Sequence, residues 1–355
     1  MKFKKIVALI LAGALCVSAF TGCGSAKPDE TVATLGETTI TFDMANFLCK
    51  YQKATVDDLY IMYFGGPAWD YDVTGSGQTL EEDLKESVMG VLRDLYTLKA
   101  HIADYNVVIT PEDEAAIEEA AHAFIESNTA EAIEEFGATE DLVKEVLTLY
   151  TIQAKMFDAM TTDVDRVVSD EEANMRGYSY VSIGLEGEYK SDSYVKYTDA
   201  EKAKLREKAS NIEKALKEGA DFATVAKEND LTVSKSAYKK GDTTIGKELC
   251  TALDALKEGE VSAQVVTDTT IYFVKLDAET DKDATESNRE SIIAERENER
   301  FNEILDGWQK DDGWSVKENV VDKIDFHNLF TQSTETSEGE VCTEDHDHSH
   351  DGHNH

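Results

Sequence analysis

The hydrophobic period of this chain changes twice, and that alternation restricts its fold more than any other feature. From 42 to about 160 the apolar residues recur at helical spacing. Leu84, Val88, Val91, Leu92, Leu95 and Leu98 share one face of a helix that Thr79 and Glu82 open as a capping box, predicted to run to about Tyr105. Thr41, Thr110 with Pro111, and Thr139 mark further helix starts. Near Ser169 the pattern breaks. The stretch 178–185 reads as a strand, and Thr198 with Glu201 opens a helix to Lys217 that Gly219 closes. Short helices at 222–229 and 250–256 and a strand at 269–276 follow. The helical period then returns from 288 to 309 through Ile292, Ile293, Phe301, Ile304, Leu305 and Trp308, and 314–326 reads as extended. Strand, three helices and strand make a compact module. The predicted fold is therefore α+β: a mostly helical domain built from both chain ends, 32–170 and 284–326, with a βα domain at 177–279 inserted into it. A hairpin at 32–40, turning at Gly36, precedes the first helix.

The two termini differ from the body in composition. Lys2, Lys4 and Lys5 precede an uncharged apolar run from Ile6 to Phe20, which Thr21-Gly22-Cys23 closes. Such a run is short for spanning a bilayer and suits an export signal that is cut away. It resembles a lipoprotein signal. The resemblance implies removal of 1–22, a lipid on Cys23, a tether at 23–31 and a body held outside the cytoplasm on the cell membrane. At the other end, 331–355 is rich in Ser, Thr, Glu and His and reads as a disordered tail. There His346, His348, His350, His353 and His355 alternate with Asp345, Asp347 and Asp351. Imidazole beside carboxylate suits a divalent zinc, nickel or copper ion, so a metal-binding lipoprotein is the alternative reading. His101, His122 and His327 stand alone and read as surface or packing residues.

Charge narrows the partners. The formal net charge is −37, from 35 basic and 72 acidic residues, and the three lysines of the signal would leave with it. A chain this acidic repels nucleic acid and anionic headgroups. Cys49, Cys250 and Cys342 are far apart, without metal-ligand spacing or an even count for a disulfide framework.

Three blocks inside the insert carry a family resemblance. Leu216-Lys217-Glu218-Gly219-Ala220-Asp221-Phe222 with the following Ala223 to Glu228 is similar to the helix-turn-helix of parvulin-type peptidylprolyl isomerase domains. Gly241-Asp242 fits that family's glycine–aspartate turn. Ala255 to Ser262 and Ile271 to Leu276 resemble its last loop and strand. With the flanking hairpin and the returning helix, the whole resembles the PrsA-type foldase lipoproteins, whose SurA-like helical domain carries an inserted parvulin domain. The resemblance implies a foldase or chaperone for unfolded, newly translocated secreted proteins, with no cofactor required.

Rotation about a prolyl bond faces a barrier of about 20 kcal/mol, which a catalyst lowers by binding the twisted amide better than the planar one. Carried over from the family, the histidine of the first strand falls at Tyr180 and that of the last strand at Tyr272. The acidic or thiol position falls at Asp230 or Ser234, and the apolar pocket at Ile245 and Leu249. Phe273 joins the peptide-binding set. Tyrosines donate hydrogen bonds but lack the tautomer coupling of paired imidazoles. The expectation is weak or absent isomerase activity on a fold that still grips extended peptides.

Overall fold

The computed structural model describes residues 15–18, 27–190 and 193–332. Cys23 and the five tail histidines lie outside them. The chain divides into two compact units, one of residues 1–163 with 300–355, the other of 164–299.

Strand β1 (Leu15–Ser18) lies within the run read as the export signal; it pairs with the last strand among the described residues. The predicted hairpin forms as β2 (Thr31–Leu35) and β3 (Thr38–Thr41), with Gly36 at φ 56° in the turn. Helix α1 (Phe42–Phe64) ends in the left-handed residue Gly65. The predicted capping box of Thr79 and Glu82 opens α2 (Leu80–Ala100), after which 102–105 tightens into a 3₁₀ turn. The Thr110 hydroxyl and the Asp113 carboxylate form a second box at α3 (Pro111–Ser127), and Lys155 pairs with Asp113. Helix α4 (Ala130–Phe136), capped by Thr129, escapes the sequence reading because seven residues are too few to show a period. Helix α5 (Glu140–Met160), capped by Thr139, completes this run. Its core gathers Phe47, Leu48, Val88, Leu92, Leu95, Phe124, Phe136 and Val146.

In the second unit a one-turn helix, α6 (Asp170–Ala173), leads into β4 (Arg176–Gly184). The polar stretch that follows holds a further hairpin, β5 (Gly187–Lys190) and β6 (Ser193–Lys196), with Tyr189 and Tyr194 edge to face on it. Helix α7 (Asp199–Lys217) has its predicted capping box and ends before Gly219 at φ 90°. The carboxylate of Asp221 then caps α8 (Phe222–Glu228), so the first family-like block is a helix stop joined to a helix start. Strand β7 (Ser234–Tyr238) follows, then α9 (Lys247–Asp254), β8 (Val265–Val266) and β9 (Thr270–Ala278). The sheet is antiparallel in the order β7-β4-β9-β8.

Helix α10 (Lys282–Gln309) carries the chain out of the second unit; from Arg300 onward its residues belong to the first. Phe301 and Leu305 pack on Leu98, Ile152, Met156 and Met160. The segment 314–326 departs from the extended reading. Only β10 (Trp314–Val316) is a strand, and it adds to β2 as the third strand of the hairpin sheet. Glu318–Val321 winds into a short helix, α11, because a helical turn puts both Val320 and Val321 into the core with Ile324 and Phe326. Strand β11 (Leu329–Gln332) closes the chain's described part, with Phe330 stacked on Phe136 at 4.6 Å. Both chain ends thus supply one core. Among the described residues no helix is long and apolar enough to cross a membrane.

Candidate functional site

Successive residues of a strand face opposite sides of its sheet, and this sorts the predicted site. Val181, Ile183, Ile271 and Phe273 point to one side and pack against Ala209, Ile212, Phe222 and Val225 of α7 and α8. Tyr178, Tyr180, Tyr272, Val274 and Leu276 point to the other, against Leu249, Cys250 and Leu253 of α9. Tyr180 and Tyr272 stand on adjacent strands with ring centroids 6.3 Å apart. Ile245, in a 3₁₀ turn, and Leu249 pack against the same cluster.

The structure therefore brings together four of the five predicted peptide-face residues. The fifth is a correction. Phe273 is 0% exposed and sits in the core beneath α7 and α8, on the opposite side from its neighbour Tyr272. The alternation rule already forbids adjacent strand residues from sharing a face.

Tyr178 and Tyr238 are buried and cross edge to face at 5.7 Å, while Tyr180, Tyr272 and Ile245 remain half-exposed. Leu249 is closed in at 8% exposure. The result is a shallow aromatic surface over an apolar floor. Register places Ser234, and not Asp230, beside Tyr180. Ser234 lies directly across from Tyr180, and directly paired residues share a face. Asp230 lies in the left-handed turn after α8, at φ 53°, and is exposed. Ser182 pairs directly with Tyr272 across β4 and β9 and so shares its face. The surface thus offers hydroxyls from two tyrosines and two serines where the family pattern has imidazoles and an acid or thiol. Hydroxyls can donate to a carbonyl and accept from an N–H of an extended peptide.

A second group of residues, unmarked in the sequence, fixes this surface from below. Arg176, 2% exposed, donates to the Tyr238 hydroxyl at 2.6 Å, to the carbonyls of Leu253 at 3.0 Å and Leu256 at 2.9 Å, and to Glu279 at 3.0 Å. Tyr238 in turn donates to Asp254 at 3.0 Å, and Asp254 also accepts from the Gly241 N–H at 3.1 Å. That bond explains the glycine–aspartate turn: Gly241 adopts φ 82° to present its N–H, and Asp242 caps the following 3₁₀ turn. Burial and the Asp254 carboxylate push the Tyr238 phenol up, and burial with Asp254 does the same to the Cys250 thiol. Both stay protonated at neutral pH, so Cys250 is a packing residue and not a nucleophile. The buried Cys49 thiol is pushed up to about 12 by burial and is likewise inert. Among the described residues no group of three or more His, Cys, Asp or Glu side chains is placed to hold a metal ion.

Residues 186–290 match the family profile described as the PPIC-type PPIASE domain. No curated protein matches the chain. Among solved structures, the foldase protein PrsA from Lactococcus lactis is similar at 15% identity over 82% of this chain and 96% of that one, with a TM-score of 0.32. The peptidylprolyl isomerase PrsA from Bacillus cereus is similar at 17% identity over 72% and 98%, with a TM-score of 0.33. A SurA-like chaperone structure from Campylobacter jejuni is similar at 10% identity over 81% and 98%, with a TM-score of 0.28. A parvulin-type domain at 186–290 thus lies within the second unit, which interrupts a mostly helical unit made from both chain ends.

Proposed function

We propose that this chain is a membrane-anchored extracytoplasmic foldase that holds unfolded secreted polypeptides, and that its parvulin-type surface grips extended peptide more than it turns over prolyl bonds. The observation that supports the reading is a half-exposed aromatic surface of Tyr180, Tyr272, Ile245 and Ser234, without an imidazole pair, on the unit that carries the PPIC-type match. A second feature supports holding. Leu59, Met62, Tyr63 and Phe64, at the end of α1, are 44%, 69%, 72% and 48% exposed, an apolar patch of the kind that marks contact with other chains. Export and the lipid on Cys23 rest on the N-terminal sequence.

The test is aggregation of a reduced, unfolded secreted protein with and without an equimolar amount of this chain. Suppression of light scattering is the expected result, and no suppression with no gain in refolding overturns the reading. In a proline-peptide isomerisation assay the chain should accelerate exchange weakly. Tyr272→Phe, which removes only a hydroxyl, should change the rate less than about tenfold. A larger loss makes Tyr272 a catalytic residue. The His/Asp tail supports a second activity, divalent-metal binding. A chain ending at Gln332 should keep aggregation suppression and lose nickel or zinc binding by calorimetry.

A further inference from the structure

Strand β11 is bonded along both edges by different partners. On its inner edge the Phe330 N–H donates to Asp57 Oδ2 at 3.0 Å, and just before the strand the Asn328 carbonyl accepts from Lys53 Nζ at 2.7 Å. The buried lysine–aspartate pair of α1 thus stands in for a neighbouring strand. Backbone polar groups of an antiparallel pair alternate between edges. With Phe330 turned inward, Leu329 and Thr331 turn their N–H and C=O groups outward. Their partner is β1, in the register Cys16↔Thr331 and Ser18↔Leu329. Strand β1 also runs beside α4.

The partner comes from 15–18, inside the segment read as a removable signal. We propose that in the mature protein the outer edge of β11 is a strand-addition site for an extended, uncharged apolar segment of an unfolded client. The inference rests on the foldase reading and on removal of 1–22. The occupant's chemistry is shown by what fills the edge before removal, an extended stretch of the sequence Leu-Cys-Val-Ser taken from an uncharged apolar run. Main-chain hydrogen bonds supply affinity in such additions, so many sequences can bind. An outer edge left bare would offer unpaired donors and acceptors to any passing chain. The inner edge stays rigid because it is tied to a buried ion pair.

The probe is a fluorescein-labelled peptide of residues 12–21 carrying C16S, titrated by anisotropy. The chain 24–355 should bind it saturably. The full chain, whose own β1 fills the edge, should bind at least about tenfold more weakly. Thr331→Pro deletes one outward N–H without touching Asp57 and should cost 24–355 a similar factor. A probe with S18P should fail in the same way, which keeps the test independent of how the protein variant folds. Equal binding by 1–355 and 24–355, or indifference to both prolines, overturns the proposal. Aggregation suppression is measured on the same proteins. If 24–355 protects the client yet ignores the probe, the edge site alone falls; if it does neither, the foldase reading falls too.

Discussion

Arg176→Ala will unfold the inserted domain and leave the helical body folded. The guanidinium is almost wholly enclosed and spends its donors on Tyr238, on the carbonyls of Leu253 and Leu256, and on Glu279. Those carbonyls lie at the end of α9 and just beyond it, where internal donors run short; Leu253 also accepts from the Leu256 N–H at 3.2 Å. Removing the arginine takes a charged donor from the buried Tyr238 hydroxyl and from both carbonyls at once and leaves a void where its side chain lay. Hydrogen bonds to a charged group contribute about 1.5–3 kcal/mol each, so losing several of them removes much of the roughly 5–15 kcal/mol that holds an ordinary domain. Lysine will not rescue the loss, since an ammonium cannot reach four partners in a planar fork. The three tryptophans, Trp69, Trp308 and Trp314, all belong to the first unit. Tryptophan fluorescence therefore reports the body alone, while far-ultraviolet circular dichroism reports both units. In urea, the variant should lose part of its dichroism at low denaturant with the fluorescence midpoint unmoved. An unchanged dichroism curve would show that the arginine is dispensable.

Asp57→Ala should have the reverse signature, a large drop in the tryptophan midpoint. Lys53 and Asp57 lie one turn apart on α1, at 0% and 1% exposure. Asp57 accepts from Lys53 at 2.5 Å, from the Trp69 indole at 2.7 Å and from the Phe330 N–H at 3.0 Å. Lys53 Nζ lies between the rings of Trp69 and Phe330, 5.6 and 5.4 Å from their centroids. Alanine at 57 leaves a buried cation without a counter-charge, at a cost of about 3–5 kcal/mol. Burial already pulls the Lys53 amine below its usual range, and Asp57 opposes that pull. Without Asp57 the amine falls further, so the unfolded chain binds the proton more tightly than the folded one. Stability of the variant must then rise with pH until the unfolded lysine also titrates. The deficit relative to the parent should shrink between pH 7 and pH 10. A deficit that stays constant across that range would mean Lys53 keeps its charge by another route.

How much of this was legible beforehand depended on how local each cause is. Helix starts at Thr79, Thr110 and Thr198 need only neighbours three residues away, and each formed as read. The inserted organisation was legible because a change of period is visible in a window. Strand β7 was not, because Ser234-Lys235-Ser236-Ala237-Tyr238 shows no apolar alternation and becomes a strand only by pairing with β4. For the same reason the sequence could not show which of Asp230 and Ser234 lies beside Tyr180, which register does. Phe273 was misplaced despite a rule that could have placed it. Arg176, Lys53 and Asp57 look like ordinary surface charges in any short stretch. They are buried by partners up to 275 residues away, as Lys53 is by Asn328, and no local pattern marks that.

The long helix that leaves the insert also sets an order of assembly. The insert is one contiguous stretch, 164–299, whereas the body draws on residues before 163 and after 300. During synthesis from the N-terminus, Leu98, Ile152 and Met156 must wait for Phe301 and Leu305, with about 140 residues emerging in between. The insert can close while the body still lacks its last pieces, and the body is finished last. The N-terminal part of the body therefore spends the interval with one face of its core uncovered.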